Sequence, residues 1–332
     1  MISARIAMVI GVLLSTASAG TAGGSGAADE PVVVHQSSSA IWQMPPPTAM
    51  GNTQCDADGD VYFKTSLGPD ETGFMKVSSD GSKYHFYKMP TGDGDSASYQ
   101  FRGVNVTRGG DLRVLAYSSL LQPYIFSFDP DLNGTEKIRL ELPEHVQVQS
   151  FASFESGATL VAGYYDGHAD KKVQGKPYMA VFDASGKLRI TVSGRFNDVS
   201  LSTVHKKLSE GGSSLGEDGF LYLLRPNEIV VISEFGAVVR RMTFKKSSPE
   251  WLAVRIAVSG GLAAVELLKD EGRGKDFGIE FLALDASTGE PIGLYKPEPD
   301  LGNNFLCFSR ATGFSFMGIK DGKVVQMTAP LR

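Results

Sequence analysis

The feature that most constrains this sequence is a glycine-centred turn that returns about every fifty residues. In one series the turn glycines stand at 81, 134, 186, 236 and 289, so the successive spacings are 53, 52, 50 and 53 residues. A second, less even series comprises Gly59, Gly110, Gly157, Gly219, Gly261 and Gly313. Each turn lies between short runs of β-branched and aromatic residues, which is the pattern of β-hairpins. Two hairpins per unit predict a four-stranded sheet repeated around an axis.

Five complete units and one incomplete unit follow from this spacing. The sixth unit has only three strand-like runs before the chain ends at Arg332. A three-stranded last sheet would leave an exposed edge, which natural sheets avoid. The N-terminal run SAIWQMPPP, residues 39–47, resembles the outer strands of the other units because it is apolar and then closed by proline. We therefore predict an all-β, six-bladed β-propeller over residues 35–332, in which the N-terminal strand closes the last blade.

The pattern resembles the six-bladed β-propellers of the NHL-repeat and TolB-like type, which occur in many exported bacterial proteins. The resemblance covers about residues 35–332, and its closest local match is the set of D-x-x-G and S-x-x-G turns before outer strands. Propellers of this kind include enzymes, sensors, scaffolds and ligand binders. The resemblance therefore implies a fold and selects no function.

The first nineteen residues have the order of a secretory signal peptide. Arg5 precedes an apolar run at 6–14, and Ala17-Ser18-Ala19 forms a small-residue cleavage site. The sequence predicts cleavage after Ala19, a periplasmic or secreted protein, and a flexible leader over residues 20–34 that begins rich in Gly, Ala and Ser. No later apolar run reaches the roughly 20 residues that span a bilayer, so no membrane span is expected.

Composition and motifs argue against several classes of function. Lys and Arg number 32 against 37 Asp and Glu, and a net charge of −5 offers no basic surface for nucleic acid. The five histidines have no metal-ligand spacing, and there is no P-loop. The letters G-x-S-x-G at 212–216 precede a strand pattern, whereas a nucleophile elbow needs a helix there. We expect no metal, no cofactor and a monomer.

Two acidic turns, at 56–60 and 129–134, resemble the beginning of a calcium-binding loop. Such a loop needs a bidentate Glu at its twelfth position, where these segments have Leu67 and Leu140. Hairpin turns are the favoured interpretation of both, and a calcium site at 129–134 is the alternative.

The inner strand of each blade should begin at the mouth of the axial channel. Counting back from the first turn glycine of each unit places six residues there: Asn52, Arg102, Gln149, Gly211, Arg255 and Asn304. Five of them are arginines or amides, which suit an anion, a sugar or a peptide carboxylate. The alternative is a water-filled channel with an ordinary polar lining. The long connections at 166–176, 195–210 and 269–278 are expected on the same face.

The two cysteines lie on the predicted inner strands of blades one and six, which are neighbours in a closed ring. Because export permits oxidation, a disulfide between Cys55 and Cys307 is one interpretation. Two separate buried thiols are the other, because inner strands of adjacent blades can be too far apart for a bridge.

Together these features favour an exported, non-catalytic propeller that binds an unknown protein, peptide or small anionic or sugar ligand, or acts as a scaffold. The alternative is a metal-dependent hydrolase or lyase of the lactonase type acting at the channel. Six-bladed enzymes of that type hold a divalent metal at the channel mouth through Glu, Asn and Asp. The corresponding positions of this chain lack a carboxylate, which favours binding over catalysis.

Overall fold

The computed structural model describes residues 30–44, 50–66, 72–89, 99–128, 135–192, 208, 211–269, 278–301, 304–310 and 312–331. Within them the chain forms six sheets, one for each predicted unit, and the four consecutive strands of each blade pair antiparallel. Consecutive inner strands contact each other around a full circle, from blade one to blade six and back to blade one. The predicted all-β, six-bladed propeller is confirmed.

Each blade is a meander that runs outward from the axis. The inner strands are β3 (Met50–Cys55), β7 (Gln100–Val106), β11 (Val146–Ser153), β15 (Ser213–Leu215), β19 (Leu252–Ser259) and β23 (Asn304–Ser309). The second strands are β4 (Val61–Ser66), β8 (Leu112–Tyr117), β12 (Thr159–Tyr165), β16 (Leu221–Leu224), β20 (Leu262–Lys269) and β24 (Gly313–Lys320). The third strands are β5 (Thr72–Val77), β9 (Pro123–Phe128), β13 (Pro177–Phe182), β17 (Glu228–Ile232), β21 (Gly278–Asp285) and β25 (Lys323–Ala329). The outer strands of blades one to five are β6 (Tyr84–Lys88), β10 (Thr135–Arg139), β14 (Leu188–Thr191), β18 (Val238–Thr243) and β22 (Pro291–Pro297).

The core consists of apolar layers between adjacent blades. The described residues form six such clusters, and each joins side chains of two neighbouring blades. Second and third strands are covered on both faces, so β8 is buried along its whole length. Outer strands are covered on one face, and β14 is mostly exposed. A short 3-10 helix, Pro299–Leu301, precedes blade six, and no helix among the described residues is long and apolar enough to cross a membrane.

The N-terminal segment closes the ring as predicted. Strand β2 (Ser38–Ile41) pairs antiparallel with β25 and forms the outer strand of blade six. Trp42 then enters the interface between blades six and one, where its ring stacks on Phe63 at 5.6 Å. At the inner edge of the same two blades, Cys55 and Cys307 form a disulfide with a Cα–Cα distance of 6.0 Å, within the range that a bridge requires. The closure is therefore bonded at both the outer and the inner strands.

The structure differs from the predicted leader at residues 32–34. Strand β1 (Val32–Val34) adds a fifth strand to blade five by pairing parallel with β22. The side chain of Val34 is buried, and Glu298 binds the backbone N–H of Gln36 and the ring of His35. The glycine-rich part of the leader ends before these three valines, and their β-branched side chains suit the edge of a sheet. The propeller therefore begins before the predicted residue 35. Residues 1–29, with the predicted signal peptide and most of the leader, lie outside the described residues.

Candidate functional site

We call the face where the inner strands begin the upper face, and the opposite face the lower face. Near the upper face, five inner strands each contain an extra residue that shifts their pairing with the second strand of the blade. These β-bulges occur in β3, β7, β11, β19 and β23. A bulge redirects side chains and often lies beside a binding site. Arg102 is the extra residue of β7, and Gln149 is the extra residue of β11. Two of the residues predicted at the channel mouth therefore leave the regular ladder.

The axial channel itself is narrow. Its cavity of about 90 Å³ is lined by inner-strand residues such as Gln54, Asn105, Ser214 and Arg255. Small-molecule sites have volumes of roughly 300–1,000 Å³, so this cavity has room for a few water molecules only. The Gln54 amide bonds the backbone of blade two, Asn105 accepts the Ser153 N–H of blade three at 2.8 Å, and Ser214 accepts an N–H of blade five. These polar groups hold neighbouring blades together.

Arg255 is fixed between three blades. From β19 its guanidinium donates to the Phe305 carbonyl at 2.7 Å and to the Thr53 hydroxyl at 3.3 Å. Its stem passes so close to Gly211 that a Cβ at that position would collide with it, which explains the glycine there. Its Nε lies 3.5 Å from a carboxylate oxygen of Glu266 on β20. The structure therefore makes Arg255 a connector of blades five, six and one.

Glu266 is a carboxylate that the sequence analysis missed. Its side chain is buried, and this burial raises its pKa to about 7 although the positive charge of Arg255 acts in the opposite direction. Glu266 stands on a second strand, opposite Arg255 in the register, and not on the inner strand where channel residues were sought. Only the strand pairing brings it to the arginine.

The lower end of the channel is covered by charged residues of the first turn in each blade. Arg108 of blade two reaches Glu217 of blade four at 3.3 Å. The same Glu217 oxygen accepts the Gly260 N–H of blade five at 2.9 Å, and Glu155 of blade three accepts the backbone N–H of Arg108. This network links the first turns of blades two, three, four and five at the lower end of the channel.

A much larger cavity than the channel is a groove between blades two and three. Its volume is about 1140 Å³, it opens on the upper face, and its lining includes Arg102 and Gln149 from the two inner strands. We call it the blade two–three groove. Its walls are the turn between β8 and β9, the outer strand β10 with the crossover to β11, and the beginning of the loop after β12. Its volume exceeds that of ordinary small-molecule sites.

The polar inner-strand residues that line the groove have few partners. The Arg102 guanidinium is exposed and bonds the Gln100 amide oxygen at 3.3 Å, with no carboxylate partner among the described residues. Gln149 is exposed, and no described residue bonds its side chain. The Tyr117 hydroxyl, in contrast, both donates to and accepts from the Val148 backbone, at 2.9 and 2.6 Å. Tyr117 thereby holds the bulge that presents Gln149.

The turn at the groove rim contains an unusual residue. Residues 118–122 form a five-residue turn in which the fifth carbonyl accepts the first N–H and the first carbonyl accepts the fourth N–H. The same pattern occurs in six other described turns, and the fourth residue of each is a glycine with positive φ: Gly59, Gly110, Gly157, Gly186, Gly219 and Gly236. In the rim turn that position is Leu121, with φ of 59°, and its exposed fraction is 66%. Its neighbour Leu120 is 81% exposed.

The facing wall has a second strained residue, His145, with φ of 62°. Its carbonyl accepts the Asp166 N–H at 2.8 Å, which anchors the loop after β12, and its ring lies near that of His168. Of the three described non-glycine residues with positive φ, Leu121 and His145 both line this groove. The third, Asp321, belongs to a tight Asp-Gly hairpin, where positive φ is normal.

The other predicted residues have varied positions. Asn304 is exposed at the start of β23 and lines neither cavity, and the side chain of Asn52 lies outside the described residues. The acidic turn at 56–60 is a hairpin in which Asp56 accepts the backbone N–H of Asp58 and Asp60. The G-x-S-x-G letters at 212–216 are followed by a turn and a strand, as predicted. The loop 166–176 is on the upper face, while 129–134, 270–277 and most of 195–210 lie outside the described residues.

The Leu120–Leu121 pair was missed although the sequence carries a signal for it. The segment SSLLQ stands between two strand-like runs, where the turns of the glycine series have Gly. An apolar pair in a turn is the reverse of ordinary turn chemistry. Among the described residues there is no group of three or more His, Cys, Asp and Glu side chains placed to hold a metal ion.

Known proteins are similar to this chain at the level of structure and not of sequence. No family model and no curated protein matches the sequence. Among solved structures, a luciferin-regenerating enzyme is 11% identical with a TM-score of 0.46 and covers 88% of this chain and 94% of its own. The calcium-binding protein regucalcin of Agrobacterium tumefaciens is 12% identical with a TM-score of 0.48 over 91% and 98%. YCF48 bound to D1 peptide is 9% identical with a TM-score of 0.44 over 90% and 85%. Similarity at this level assigns no function to this chain.

Proposed function

We propose that this chain is an exported, non-catalytic binding protein that holds its ligand or partner in the blade two–three groove. The observation that carries the proposal is Leu121, an exposed leucine in a backbone conformation for which six equivalent turns use glycine. A left-handed conformation costs an ordinary residue about 1–2 kcal/mol. Because the Leu121 side chain is mostly exposed, burial within the fold does not offset that strain. Strain of this kind is concentrated at functional sites.

The residues around Leu121 support the same conclusion. The groove combines exposed aliphatic side chains at its rim with an exposed arginine that has no described carboxylate partner and an exposed amide that has no described partner. Apolar surface supplies binding energy, while a few placed polar groups supply orientation and specificity. The groove is also on the same face as the long loop 166–176, and rigid scaffolds commonly carry binding residues on such loops.

The lactonase-type alternative has less support in the described residues. The channel cavity is smaller than a substrate site, and the nearby buried carboxylate, Glu266, faces Arg255. Arg255 in turn is occupied by Phe305 and Thr53. The groups that a hydrolase would use at the axis are thus engaged in holding the blades together.

Export is supported by the N-terminal sequence and by the Cys55–Cys307 disulfide, which suits an oxidising compartment. The test is the intact mass of the protein recovered from the source organism, with and without reduction and alkylation. We expect a chain that begins at Gly20 and gains two alkyl groups only after reduction. A chain that retains residues 1–19 and alkylates without reduction would contradict export.

A photo-crosslinking residue at position 120 tests the binding site. The matched control is position 319, because Ile319 is 80% exposed and lies beside the corresponding upper-face hairpin of blade six. In an envelope extract we expect a discrete adduct from position 120, none from position 319, and loss of the adduct in Arg102→Gln. Equal labelling at the two positions, or an adduct that is unchanged by both Arg102→Gln and Leu121→Gly, would count against the groove.

A further inference from the structure

We infer that the blade two–three groove recognises the free C-terminal carboxylate of a polypeptide, with Arg102 and Gln149 as the carboxylate-binding pair; this rests on the proposed function. Both side chains come from β-bulges of neighbouring inner strands, and both are exposed and line the same cavity. An arginine fork binds the two oxygens of one carboxylate, and an amide adds a further N–H donor. These are the donors that one chain terminus requires.

The availability of these donors distinguishes them from the other polar groups near the axis. Arg102 has a glutamine amide and no carboxylate as its described partner, whereas Arg255 has Glu266, a carbonyl and a hydroxyl. Gln149 is held in place through Tyr117 and the bulge at Val148, yet its own side chain has no described partner. Positioned donors that have no carboxylate partner among the described residues are suited to bind a ligand anion.

The charges of the groove favour one negative group over many. Three basic residues line it, namely Arg102, Lys137 and Arg139, against four acidic residues, namely Glu136, Glu141, Glu144 and Asp166. The acidic residues would repel a polyphosphate or a nucleic acid. A single carboxylate at Arg102, followed by uncharged chain, avoids that repulsion.

The apolar surface and the volume favour a polypeptide over a small carboxylic acid. Leu120 and Leu121 are exposed at the rim, and Leu142 and Pro143 belong to the opposite wall. A cavity of about 1140 Å³ is larger than a metabolite needs, and it continues past β10 as far as Ser185 of blade three. An extended chain that enters along this groove would place apolar side chains against the leucines and its terminus at Arg102.

The probe for this inference is a fluorescein-labelled octapeptide pool whose last three positions are randomised among Leu, Ile, Val, Phe, Ala and Ser. One pool carries a free carboxylate and its twin a C-terminal amide, and binding to the full mature chain is followed by fluorescence anisotropy. We expect the amide pool to bind at least about tenfold more weakly than the acid pool. Arg102→Gln should reduce the affinity for the acid pool to that for the amide pool. Arg102→Lys keeps the charge without the forked donors of arginine, so its affinity for the acid pool should lie between those of the wild type and Arg102→Gln.

Two matched controls use the same face. Lys320→Gln and Ile319→Ser remove an exposed cation and an exposed apolar side chain near the upper-face hairpin of blade six, and both should bind the acid pool as the wild type does. Because Arg102 is exposed, Arg102→Gln should leave the melting temperature unchanged. Such a result shows that the loss of binding does not come from a loss of folding. Octanoate serves as competitor and should not displace the acid pool.

The outcomes separate the inference from the proposed function. If the acid and amide pools bind equally and Leu121→Gly weakens the binding of both, the groove binds polypeptide but the carboxylate inference is wrong. If octanoate displaces the acid pool and binds with the same affinity as the peptides do, the site recognises a free aliphatic acid and the inference is again wrong. If neither pool binds, or if binding ignores both Arg102 and Leu121, the inference fails, and independence from both residues also contradicts the proposed site.

Discussion

The two sides of the ring use similar residues in opposite ways. On the closure side, blades five, six and one are joined by Arg255, the Cys55–Cys307 disulfide and the N-terminal strands. On the groove side, between blades two and three, Arg102 stands near the same place on its inner strand and, among the described residues, has only an amide partner. The upper-face turn at the groove rim exposes leucines. The repeat thus supplies a polar position near the axis, and contacts with neighbouring blades determine whether its side chain joins blades or stays exposed.

The largest expected effect concerns the disulfide on the closure side. It joins residues 252 positions apart, so reduction releases a very long loop in the unfolded chain. The double variant Cys55→Ser/Cys307→Ser should lower the free energy of unfolding by about 4 kcal/mol. Urea unfolding of the oxidised wild type and of the variant measures this. A change below about 1 kcal/mol would show that β2 and the blade interfaces hold the ring without the bridge.

The next effect comes from the closure-side arginine. Arg255→Ala removes the partner of a buried carboxylate and two hydrogen bonds between blades, so we expect a loss of about 3 kcal/mol at pH 8. Urea unfolding gives the value. A loss no greater than that of Arg102→Ala would erase the contrast between the two sides.

Stability on the closure side should also depend on pH through Glu266. Burial raises its pKa to about 7 from an ordinary value of 4.5, so between these values the folded state binds more protons than the unfolded state. Its contribution to the free energy of unfolding is therefore fully present below about pH 4.5 and is lost as pH rises to 7, by at most about 3 kcal/mol. The check is the difference between wild type and Glu266→Gln at pH 5 and pH 8. A constant difference would place the carboxylate in a more polar environment than the structure indicates.

On the groove side, a stabilising substitution is expected. Leu121→Gly relieves the left-handed leucine, and after allowance for the flexibility of glycine the gain should be about 0.5–1 kcal/mol. The reverse exchange, Gly219→Leu, is the matched control, because a Cβ there meets no atom within 4 Å and only the backbone strain of φ 78° is added. It should destabilise by a similar amount. Destabilisation by Leu121→Gly would mean that the leucine serves the fold, contrary to the proposed function.

The smallest effect should be that of Arg102→Ala, within about 0.5 kcal/mol of the wild type, because its side chain is exposed and bonds one amide. Measured beside Arg255→Ala under identical conditions, it completes the comparison. A loss of several kcal/mol would show that the groove-side arginine is also a connector between blades.

Most of the fold follows from local features of the sequence. Glycines such as Gly110 and Gly186 mark tight turns because their positive φ is unfavourable for other residues, and apolar runs between them mark strands. The number of units and the incomplete last unit then predict six blades closed by residues near 39–41, as the pairing of β2 with β25 confirms. Strand β1 was not predicted, because three residues at a sheet edge leave almost no pattern.

The strands and the turns could thus be predicted from the sequence because they depend on residues close together in the chain, and the closure of the ring followed from the strand missing in the last unit. Only the tertiary structure decided which polar residues are engaged. Arg255 meets Thr53, 202 residues away, and Cys55 meets Cys307, while the described partner of Arg102 is Gln100 of its own strand. Such pairings depend on which blades become neighbours and on room left by residues such as Gly211, and neither is encoded by spacing along one strand.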